Sequence, residues 1–469
     1  MTATDLFIAL PLLLLAGGAL LTLLLGAISR DDKIGTMIGV VVTLGAAGWL
    51  LLTPPALVAP NLGLSAGVLP RLFGAGFALL AAAVLCLSAA YNRARGITGE
   101  EYPATILFAT FGMLALASAT NFLTLFLGLE AMSFGFYILV AIDLQRPTSG
   151  ETGLKYLLPG ALSAAFLAFG IALLYCVSGT LALAETVQVT LTSGSPDPIA
   201  LAGWACLLAG IAFKLSLAPA HLWTPDVYQG APAPVTAFLS AGSKGATILL
   251  FLLLLPAAAE TTLLRVPFWG LAFLSLLIGN LAALLQSRVR RLLAYSSIAQ
   301  MGYVVIAFLA GKSGGYAAAA YYAIAYGVIS LAAFGAIAVL ERHGCGETLE
   351  DYRGLGQRQP FAAGVLTLAL LALAGIPPTA GFTGKFLIFA SALRAGEIAL
   401  AVIGILLAAI SIYYYLRVVV VLYFKEATRM DRPRPHPLEY VVLSAAAAAI
   451  LLLGLWPNTL LRIFALLFS

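Results

Sequence analysis

Charged residues are scarce in this sequence of 469 residues, at 10% of the total. A soluble globular domain carries about 25% charged residues, so this chain has too few charges to cover a surface that faces water. Hydrophobic residues make up 62% of it, and apolar runs recur from residue 6 to the end. A membrane-spanning helix needs roughly 20 apolar residues, and about fourteen such runs fit the chain. The composition predicts an all-α integral membrane protein with about 14 transmembrane helices.

Residues that commonly ligate redox cofactors are also few. The four cysteines lie far apart and form no CxxC pair, which argues against an iron–sulfur or zinc site. Of the three histidines, only His221 lies near a predicted helix. We therefore expect no cofactor and no metal in this chain. The net charge of +5 does not indicate a nucleic-acid partner, because the basic residues lie in short loops.

No loop between the predicted spans is long enough to fold as a separate domain, so any chemistry takes place within the membrane. The first apolar run, 7–27, has no basic segment before it, and we interpret it as a retained helix rather than a signal peptide. The predicted spans are 5–27, 34–52, 71–91, 103–119, 121–142, 152–177, 199–218 with a broken extension to 230, 233–256, 264–286, 291–310, 315–340, 360–388, 396–423 and 438–467.

Basic residues concentrate on one side of these spans. Loops after even-numbered spans hold only Arg71, Arg265, Lys312 and Arg394. Loops after odd-numbered spans hold Arg30, Lys33, Arg93, Arg95, Arg146, Arg288, Arg290, Arg291, Arg342, Arg353, Arg358, Lys425, Arg429, Arg432 and Arg434. Positively charged loops stay in the cytoplasm. Both termini are therefore predicted on the periplasmic side of a bacterial inner (plasma) membrane.

Six charged residues fall inside predicted spans, where a central charge costs on the order of 3 kcal/mol to insert. They are Glu130, Lys155, Lys214, Lys244, Lys385 and Arg417. Such residues are retained for pairing, for a water-filled path or for proton relay. A side chain that snorkels to the surface is the alternative for the long basic residues, and Arg417 is expected to do so at the cytoplasmic face.

The two candidates deepest in the membrane are Glu130 and Lys214. Glu130 lies near the middle of the fifth span, with Ser133 and Phe134 expected on the same helix face. Lys214 lies well inside the seventh span, just before a proline-rich stretch that begins at Pro219. Helices broken at mid-membrane are typical of ion sites in transporters, so we interpret Lys214 as a proton-carrying group. Glu130, whose side chain is too short to snorkel, is interpreted as a proton-carrying or field-setting carboxylate. The alternative for Glu130 is a protonated carboxyl group bonded to a neighbouring helix.

Three further residues are candidates for proton transfer. His221 has an unperturbed pKa near 6.5 that suits a relay, although a hydrogen-bonded core histidine also fits. Lys155, near the cytoplasmic end of the sixth span, is either a proton carrier or a snorkelling anchor, and Pro159 loosens the backbone beside it. Lys244 is flanked by small residues that let another helix approach, and it is either an onward carrier or a member of a buried ion pair.

Lys385 follows a second interruption, at Pro377, Pro378 and Gly381 in the twelfth span. A break with one lysine thus occurs once in each half of the chain, which hints at two structural repeats. The match is imperfect, because Lys214 precedes its break and Lys385 follows it. Side chains able to hold ordered water cluster in the tenth and eleventh spans: Tyr295, Ser296, Ser297, Gln300, Tyr303, Tyr321, Tyr322 and Tyr326.

Four segments carry a recognisable signature: PAHLWTPDVYQGAPAPVTAFLSAGSKGA from Pro219 to Ala246, LLAYSSIAQMGYV from Leu292, LEDYRGLGQRQP, and LAGIPPTAGFTGKFLIF. Across nearly its whole length the chain resembles the subunit N family of bacterial NADH-quinone oxidoreductase (respiratory complex I). The wider family includes two sister subunits of that complex and the subunits of multisubunit sodium/proton antiporters. The WTPDVYQGAP segment, and a lysine rather than a glutamate in the twelfth span, favour the subunit N branch.

The resemblance implies a fourteen-helix fold with two inverted five-helix repeats, helices 4–8 and 9–13, in which helices 7 and 12 are broken. The corresponding divisions of the chain are 1–91, 103–256, 264–423 and 438–469. It also implies that no redox cofactor binds here, and that NADH, FMN, iron–sulfur clusters and quinone bind to other subunits. The expected partners are the other membrane subunits of the complex, including its sister antiporter-like subunits, together with phospholipids and protons.

The resemblance further implies proton-transfer roles for Glu130, Lys155, Lys214, Lys244 and Lys385. Protons are expected to enter from the cytoplasm near Lys155 and Lys214, where an ionised Glu130 holds the proton on the lysine. They would then pass Lys244 and leave through Lys385, driven by quinone reduction elsewhere in the complex. A subunit of a multisubunit sodium/proton antiporter is the nearest alternative, and a solute transporter or a purely structural scaffold are the others.

Overall fold

The fold is built from helices and one small hairpin. The computed structural model describes residues 2–29, 32–54, 57–191, 197–258, 265–426 and 435–468. Four basic residues that entered the prediction of orientation lie outside the described residues: Arg30, Arg429, Arg432 and Arg434.

The first ten helices are α1 (Ala3–Ser29), α2 (Asp32–Leu52), α3 (Val68–Arg95), α4 (Glu101–Ser118), α5 (Phe122–Val140), α6 (Ser149–Ser178), α7 (Leu183–Leu191), α8 (Pro198–Leu215), α9 (Trp223–Gly230) and α10 (Ala233–Phe238). Then come α11 (Lys244–Ala258), α12 (Arg265–Leu284), α13 (Val289–Ala310), α14 (Gly315–Arg342), α15 (Leu355–Arg358), α16 (Pro360–Ala374), α17 (Ala380–Arg394), α18 (Ile398–Phe424), α19 (Pro437–Leu455) and α20 (Asn458–Phe468). A π-helical turn, Leu239–Ser243, joins α10 to α11. Between α2 and α3, strands β1 (Val58–Ala59) and β2 (Leu64–Ser65) pair antiparallel.

Thirteen helical segments of the described residues are long and apolar enough to cross a membrane. The prediction of an all-helical membrane protein is therefore confirmed. The predicted breaks are present as well, since the seventh span is divided into α8 and α9 and the twelfth into α16 and α17. The two inverted repeats, and the four divisions of the chain drawn from them, stay predictions.

Two elements differ from the predicted spans. The last span was predicted as one helix over 438–467, but α19 ends at Leu455 and α20 begins at Asn458. Pro457 explains this break, because a proline disfavours helical backbone in the residue before it. The second difference is α7, which lies in a stretch predicted as a loop. Its buried residues recur at the helical spacing of an amphipathic helix: Leu183, Thr186, Val187, Thr190 and Leu191.

The chain packs into two compact units. The first comprises Met1–Lys214 with Gly242–Glu260, and the second comprises Leu215–Ala241 with Thr261–Ser469. Within the second unit, the long helix α14 is deeply packed: it contacts α10, α13, α16, α17, α19 and α20, and most of its residues are buried.

In the first unit, α4 and α5 approach each other backbone to backbone. A Cβ at Gly112 would overlap the backbone of Met132, and one at Gly128 would overlap the backbone of Leu116. Small residues permit this close packing in a membrane, where dispersion contacts hold helices together. The start of α5 is set by Asn121, whose side chain accepts a hydrogen bond of 2.8 Å from the Thr124 N–H as an N-cap does. These contacts place the middle of α5 firmly inside the first unit.

Candidate functional site

The buried Lys214 and the partly buried Glu130 form an ion pair in the first unit. The Lys214 Nζ lies 3.5 Å from the Glu130 Oε1 and donates a hydrogen bond of 2.6 Å to the Ser133 Oγ. The lysine side chain is 2% exposed and the glutamate 15%. At this separation the attraction is on the order of 4 kcal/mol for an effective dielectric constant of about 20, and it offsets part of the cost of burying both charges.

Helix geometry explains how these groups meet. Lys214 lies in the last turn of α8, where the carbonyl ends of the helix favour a cation. On α5, Ser133 is one turn from Glu130 and is buried, whereas Phe134 is exposed on the surface of the helix. Residues i+3 and i+4 lie on opposite sides of residue i within the same helix face, and here only the i+3 side meets Lys214 of α8.

Aromatic rings lie on one side of the ion pair. The Lys214 Nζ lies 5.9 Å from the centre of the Tyr137 ring, within the range of a cation–π interaction. The Tyr137 ring in turn meets the Tyr156 ring of α6 edge-on, with centroids 4.8 Å apart. Both tyrosines lie toward the ends of α5 and α6 that adjoin the loop 141–148. The ion pair is thus bordered on this side by side chains that carry hydroxyl groups.

The opposite side of the ion pair is apolar. A narrow cavity in the first unit has room for about one water molecule. It lies toward the other ends of α5, α6, α8 and α11, and every side chain that lines it is aliphatic or aromatic: Leu125, Phe126, Leu129, Leu167, Ile171, Leu207, Ile211, Leu250 and Leu254. A cavity with such a lining stays dry. The environment of Lys214 is therefore polar toward one membrane face and apolar toward the other.

The break after α8 has a well-defined backbone. Ser216 adopts a left-handed conformation with φ of 59°, which is unusual for a residue other than glycine. The Thr224 hydroxyl donates a hydrogen bond of 2.6 Å to the Ser216 Oγ, and the peptide bond between Ala218 and Pro219 is cis. His221 lies in this break and is buried, and its Nδ1 has no hydrogen-bond partner among the described residues. A relay role for His221 stays a prediction.

Lys155 lies apart from the buried ion pair, on the outer face of α6. Its side chain is 48% exposed and forms an ion pair of 2.7 Å with Glu151, one turn earlier. An exposed pair of this kind stabilises a helix by only a few tenths of a kcal/mol, about 0.3–0.5. This geometry agrees with the anchoring alternative, and a role in proton transfer stays a prediction.

Lys244 is the first residue of α11 and directly follows the π-helical turn. It is 1% exposed. The small residues beside it allow close packing, since Gly242 lies against Met113 of α4 and Gly245 lies against Phe77 of α3. Single π-helical turns inside α-helices occur often at functional sites. A buried lysine at such a turn is a reasonable proton carrier, and this role also stays a prediction.

Lys385 lies in the second unit, at the second broken helix. Its Nζ donates hydrogen bonds of 2.6 Å to the Leu373 carbonyl and 3.4 Å to the Ala374 carbonyl. These carbonyls end α16, where the helix dipole favours a positive charge. The Tyr303 ring lies 4.9 Å from the same Nζ, and the residue is 5% exposed. The break therefore supplies a site for a cation made from backbone oxygens and an aromatic face.

Gly375 makes this site possible, because it ends α16 in a left-handed conformation with φ of 84°. We expect Gly375→Ala to destabilise the protein by about 1–2 kcal/mol, the usual cost of this conformation for a residue with a Cβ. The added Cβ would also lie 3.1 Å from the Lys385 Cδ. Thermal unfolding in detergent is the measurement. The matched control is Gly364→Ala in the same helix, where an added Cβ would make only an ordinary contact with the Tyr423 hydroxyl, at 4.0 Å, and should stabilise by about 0.5–1 kcal/mol. An equal change of stability in the two variants would contradict the conclusion that position 375 requires a left-handed backbone.

Hydrogen bonds extend from Lys385 through the second unit. The Leu373 carbonyl that accepts from Lys385 also accepts from the Gln300 Nε2, at 3.1 Å. The same Nε2 lies 3.1 Å from the Tyr415 hydroxyl, and the Tyr322 hydroxyl donates to the Gln300 Oε1. One amide side chain therefore joins the lysine site to two buried hydroxyl groups.

A second hydroxyl cluster lies on α13 and α14. Tyr326 donates a hydrogen bond of 2.7 Å to Ser297 and lies 2.9 Å from the Ser240 hydroxyl, which bonds Ser330 at 3.3 Å. By contrast, Tyr321 donates to the Leu453 carbonyl, so its hydroxyl joins α14 to α19 instead. Of the side chains predicted to cluster, Gln300 and Tyr322 thus belong to the first group and Ser297 and Tyr326 to the second. The Ser296 hydroxyl bonds Tyr415 of the first group, whereas the Tyr303 hydroxyl has no partner among the described residues.

A buried pair of charges at the ends of two spans was not predicted from the sequence. Arg290 and Glu341 are both buried, with 3.2 Å between the Nε and the Oε1. The Arg290 guanidinium also donates to the carbonyls of Gln229 and Ala231, which satisfies backbone acceptors where α9 ends. An ion pair between residues so distant in sequence leaves no pattern in either segment from which it could be predicted. The Arg290 guanidinium, paired with Glu341, therefore fixes the end of α9.

Known proteins resemble this chain along its whole length. Residues 119–411 match the family described as NADH:quinone oxidoreductase/Mrp antiporter, transmembrane. NADH-quinone oxidoreductase subunit N of Geotalea uraniireducens is 57% identical over 99% of both chains. The protein of the same name from Geobacter metallireducens is 58% identical over 98% of both.

Solved structures agree in fold. A chain of respiratory complex I from Thermus thermophilus is 33% identical, with a TM-score of 0.83 over 97% of this chain and 99% of that chain. A chain of the membrane-bound sulfane sulfur reductase, an archaeal respiratory complex, is 25% identical with a TM-score of 0.88 over 99% and 96%. Together with the buried ion pair and the broken helices, these matches show that the chain belongs to the NADH:quinone oxidoreductase/Mrp antiporter family of membrane subunits, within its NADH-quinone oxidoreductase subunit N group.

Proposed function

We propose that this chain translocates protons as an antiporter-like membrane subunit of NADH-quinone oxidoreductase, coupled to quinone reduction elsewhere in the complex. The observation that carries the proposal is the Lys214–Glu130 pair, buried in the first unit at 3.5 Å. Charges are retained at such depth when they serve transport. An ionised Glu130 holds a proton on Lys214, and movement or protonation of Glu130 releases it.

The onward carriers in this proposal are Lys244 and then Lys385. Lys244 is buried at the π-helical turn of the first unit, and Lys385 lies at the end of α16 in the second unit. The hydroxyl groups joined to Lys385 through Gln300 offer positions for the ordered water that proton transfer requires. We include Lys155 as a collector of protons at the cytoplasmic surface and His221 as a relay in the first break.

The chain is a subunit of a multisubunit membrane complex, and we propose that it performs no redox step itself. NADH, FMN, iron–sulfur clusters and quinone would bind to other subunits. The isolated cysteines support this, as does the lack of any His, Cys, Asp and Glu cluster able to hold a metal within the described ranges. We also propose two inverted repeats, 103–256 and 264–423, flanked by 1–91 and 438–469.

For its setting we propose the bacterial inner membrane, with both termini on the periplasmic side as the basic loops predict. The partners would be the other membrane subunits of the complex, including sister antiporter-like subunits, with phospholipids around the exposed apolar faces. A sodium/proton antiporter subunit is the less supported alternative. The chain of the Mrp complex from Dietzia sp. DQ12-45-1b is only 22% identical, so it shows the fold alone.

The test is proton pumping by the assembled complex in liposomes, with protons counted per electron. We expect Lys214→Ala and Glu130→Ala each to lower this ratio strongly, because a positioned acid–base group contributes roughly 100-fold or more to a proton-transfer rate. Lys312→Ala is the control, since Lys312 is an exposed lysine in the loop after α13 and should pump normally. An unchanged ratio in both Lys214→Ala and Glu130→Ala would sink the proposal. Pumping that depends on sodium would favour the antiporter alternative.

A further inference from the structure

Lys385 is held by groups that cannot accept its proton. Its Nζ donates to the Leu373 and Ala374 carbonyls, and the Tyr303 ring lies 4.9 Å from it. Among the residues that the structure describes, no carboxylate pairs with this lysine. Carbonyl oxygens and an aromatic face stabilise a cation, but neither is basic enough to take a proton from an ammonium group. Release of a proton from Lys385 therefore requires a further acceptor.

The hydroxyl group of Tyr303 is buried beside this lysine without a protein partner. The residue is 1% exposed, and its Oη forms no hydrogen bond within the described ranges. The Asn280 amide approaches this hydroxyl group without completing a hydrogen bond. The amide donates to the Leu276 carbonyl and accepts from Tyr414, and since an amide has two N–H groups and two lone pairs, it keeps hydrogen-bonding capacity. A buried polar group without a partner is commonly satisfied by ordered water, and these two groups are the polar partners that such a water requires.

The direction of the Tyr303 side chain is fixed by α17. Phe389, one turn after Lys385, meets the Tyr303 ring edge-on, with ring centroids 5.8 Å apart. The other hydroxyl groups joined to this site, those of Tyr322 and Tyr415, are both bonded to the same amide side chain. Tyr303 therefore supplies the hydroxyl group that is open to water beside Lys385.

From this geometry we propose that Tyr303 is a positioning residue, which holds the water that accepts the proton of Lys385. The inference rests on the proposed function and names its release step. An N–H bond of the Lys385 ammonium group breaks and an O–H bond of the water forms, which leaves a neutral amine and a hydrated proton. Tyr303 keeps its own proton and only hydrogen-bonds the water, so it ends the step unchanged.

The side of release follows from the ends of α13 and α17. Tyr303 lies in the second half of α13, toward the loop 311–314. In that loop Gly314 lies against the guanidinium of Arg394, the last residue of α17. Both helices that carry the proposed release step therefore end at the same face of the second unit. The distribution of basic residues predicts that face to be periplasmic.

The test is the initial rate of proton pumping by the assembled complex in liposomes, with NADH added outside. Complexes that react with this NADH pump inward, so the lumen is the release side, and its pH is set at several values while the outer pH is constant. Tyr303→Phe keeps the ring and its contacts with Lys385 and Phe389 but removes the hydroxyl group. We expect pumping to slow by about tenfold, less than the roughly 100-fold or more that an acid–base group itself contributes. The slowing should diminish as the lumen pH rises, because hydroxide ions then take the proton instead.

The matched control is Tyr321→Phe, which removes a buried tyrosine hydroxyl group of the same unit that donates to the Leu453 carbonyl. We expect this variant to unfold at a lower temperature, because a hydrogen bond is lost, and to pump as the unmodified complex at every lumen pH. Tyr303→Phe should show the opposite pattern. It pumps slowly but keeps its unfolding temperature, since no protein group loses a partner.

The outcomes separate this inference from the proposed function. Normal pumping by Tyr303→Phe at every lumen pH overturns the inference. Slowing by the same factor at every lumen pH overturns it as well, since a packing defect alone would produce that result. If Lys214→Ala and Glu130→Ala pump poorly in the same assay, the proposed function stands and only the role of Tyr303 fails. If those two variants also pump normally, both fail together.

Discussion

Replacing Lys214 with methionine is expected to destabilise the protein by up to about 3 kcal/mol, because it leaves the Glu130 carboxylate without its cation in a partly buried position. The double variant Lys214→Met with Glu130→Gln removes both charges and should recover most of that loss. The difference between the double variant and the sum of the single ones measures the interaction energy of the pair. Thermal or denaturant unfolding of the purified complex supplies the values.

The double variant should differ from the unmodified protein in proton transport but little in stability. The double variant is expected to fold well and still fail to pump, because no titratable group is left at the site. A purely structural scaffold predicts the opposite, namely that recovered stability brings back pumping. Restored pumping in the double variant would therefore contradict a proton-carrying role for Lys214 and Glu130. Effects that simply add would show that the 3.5 Å contact contributes nothing to the folded state.

Replacing Leu129 with asparagine is expected to make the membrane leak protons. Leu129 lines the dry cavity next to the ion pair, and an amide there supplies the polar partners that let water enter. Lys214 would then be hydrated from both faces, and protons would return through the chain without doing work. The measurement is the passive collapse of a pH gradient across liposomes that contain the complex without substrate. We expect a collapse at least several-fold faster than in the unmodified complex.

Two control variants test whether the leak depends on a polar side chain at position 129. Leu129→Ala removes side-chain volume but adds no polar group, so its larger apolar cavity should stay dry and hold the gradient. Leu127→Asn places the same amide on the exposed face of α5, where it should not open a path past Lys214. Equal leakage of protons from Leu129→Asn and Leu127→Asn would show that an asparagine anywhere on α5 causes the leak, and not one in the cavity specifically. A tight membrane with Leu129→Asn would show that the apolar region is not the barrier.

Long apolar runs in the sequence predicted membrane-spanning helices correctly. The bilayer sets the length of a span, and water is excluded around it, so hydropathy alone identifies the helix. Proline and glycine also marked the two broken helices correctly, since they remove donors or relax the backbone at known places. The prediction of the last span as a single helix was wrong for a related reason. Pro457 interrupts the helix, although the hydropathy of the stretch is continuous.

Shorter elements and pairings were harder to predict. Helix α7 has only nine residues, too few for hydropathy to separate it from a loop. The Arg290–Glu341 pair joins residues at the ends of different spans, and neither residue looks buried in its own segment. Ser133 contacts Lys214 while Phe134 faces outward, and the sequence does not distinguish the two because both fall within about one turn of Glu130.

By itself, the sequence determined that this is a helical membrane protein, where most of its spans lie, and that Glu130, Lys214, Lys244 and Lys385 lie inside them. These properties follow from local composition, because each span is matched to the bilayer separately. Only the tertiary structure decided that Lys214 meets Glu130 and Ser133, that Lys385 rests on the carbonyls of α16, and that Lys155 faces outward. Such contacts depend on how helices distant in sequence rotate and pack against one another, and helix packing is not encoded in any single segment.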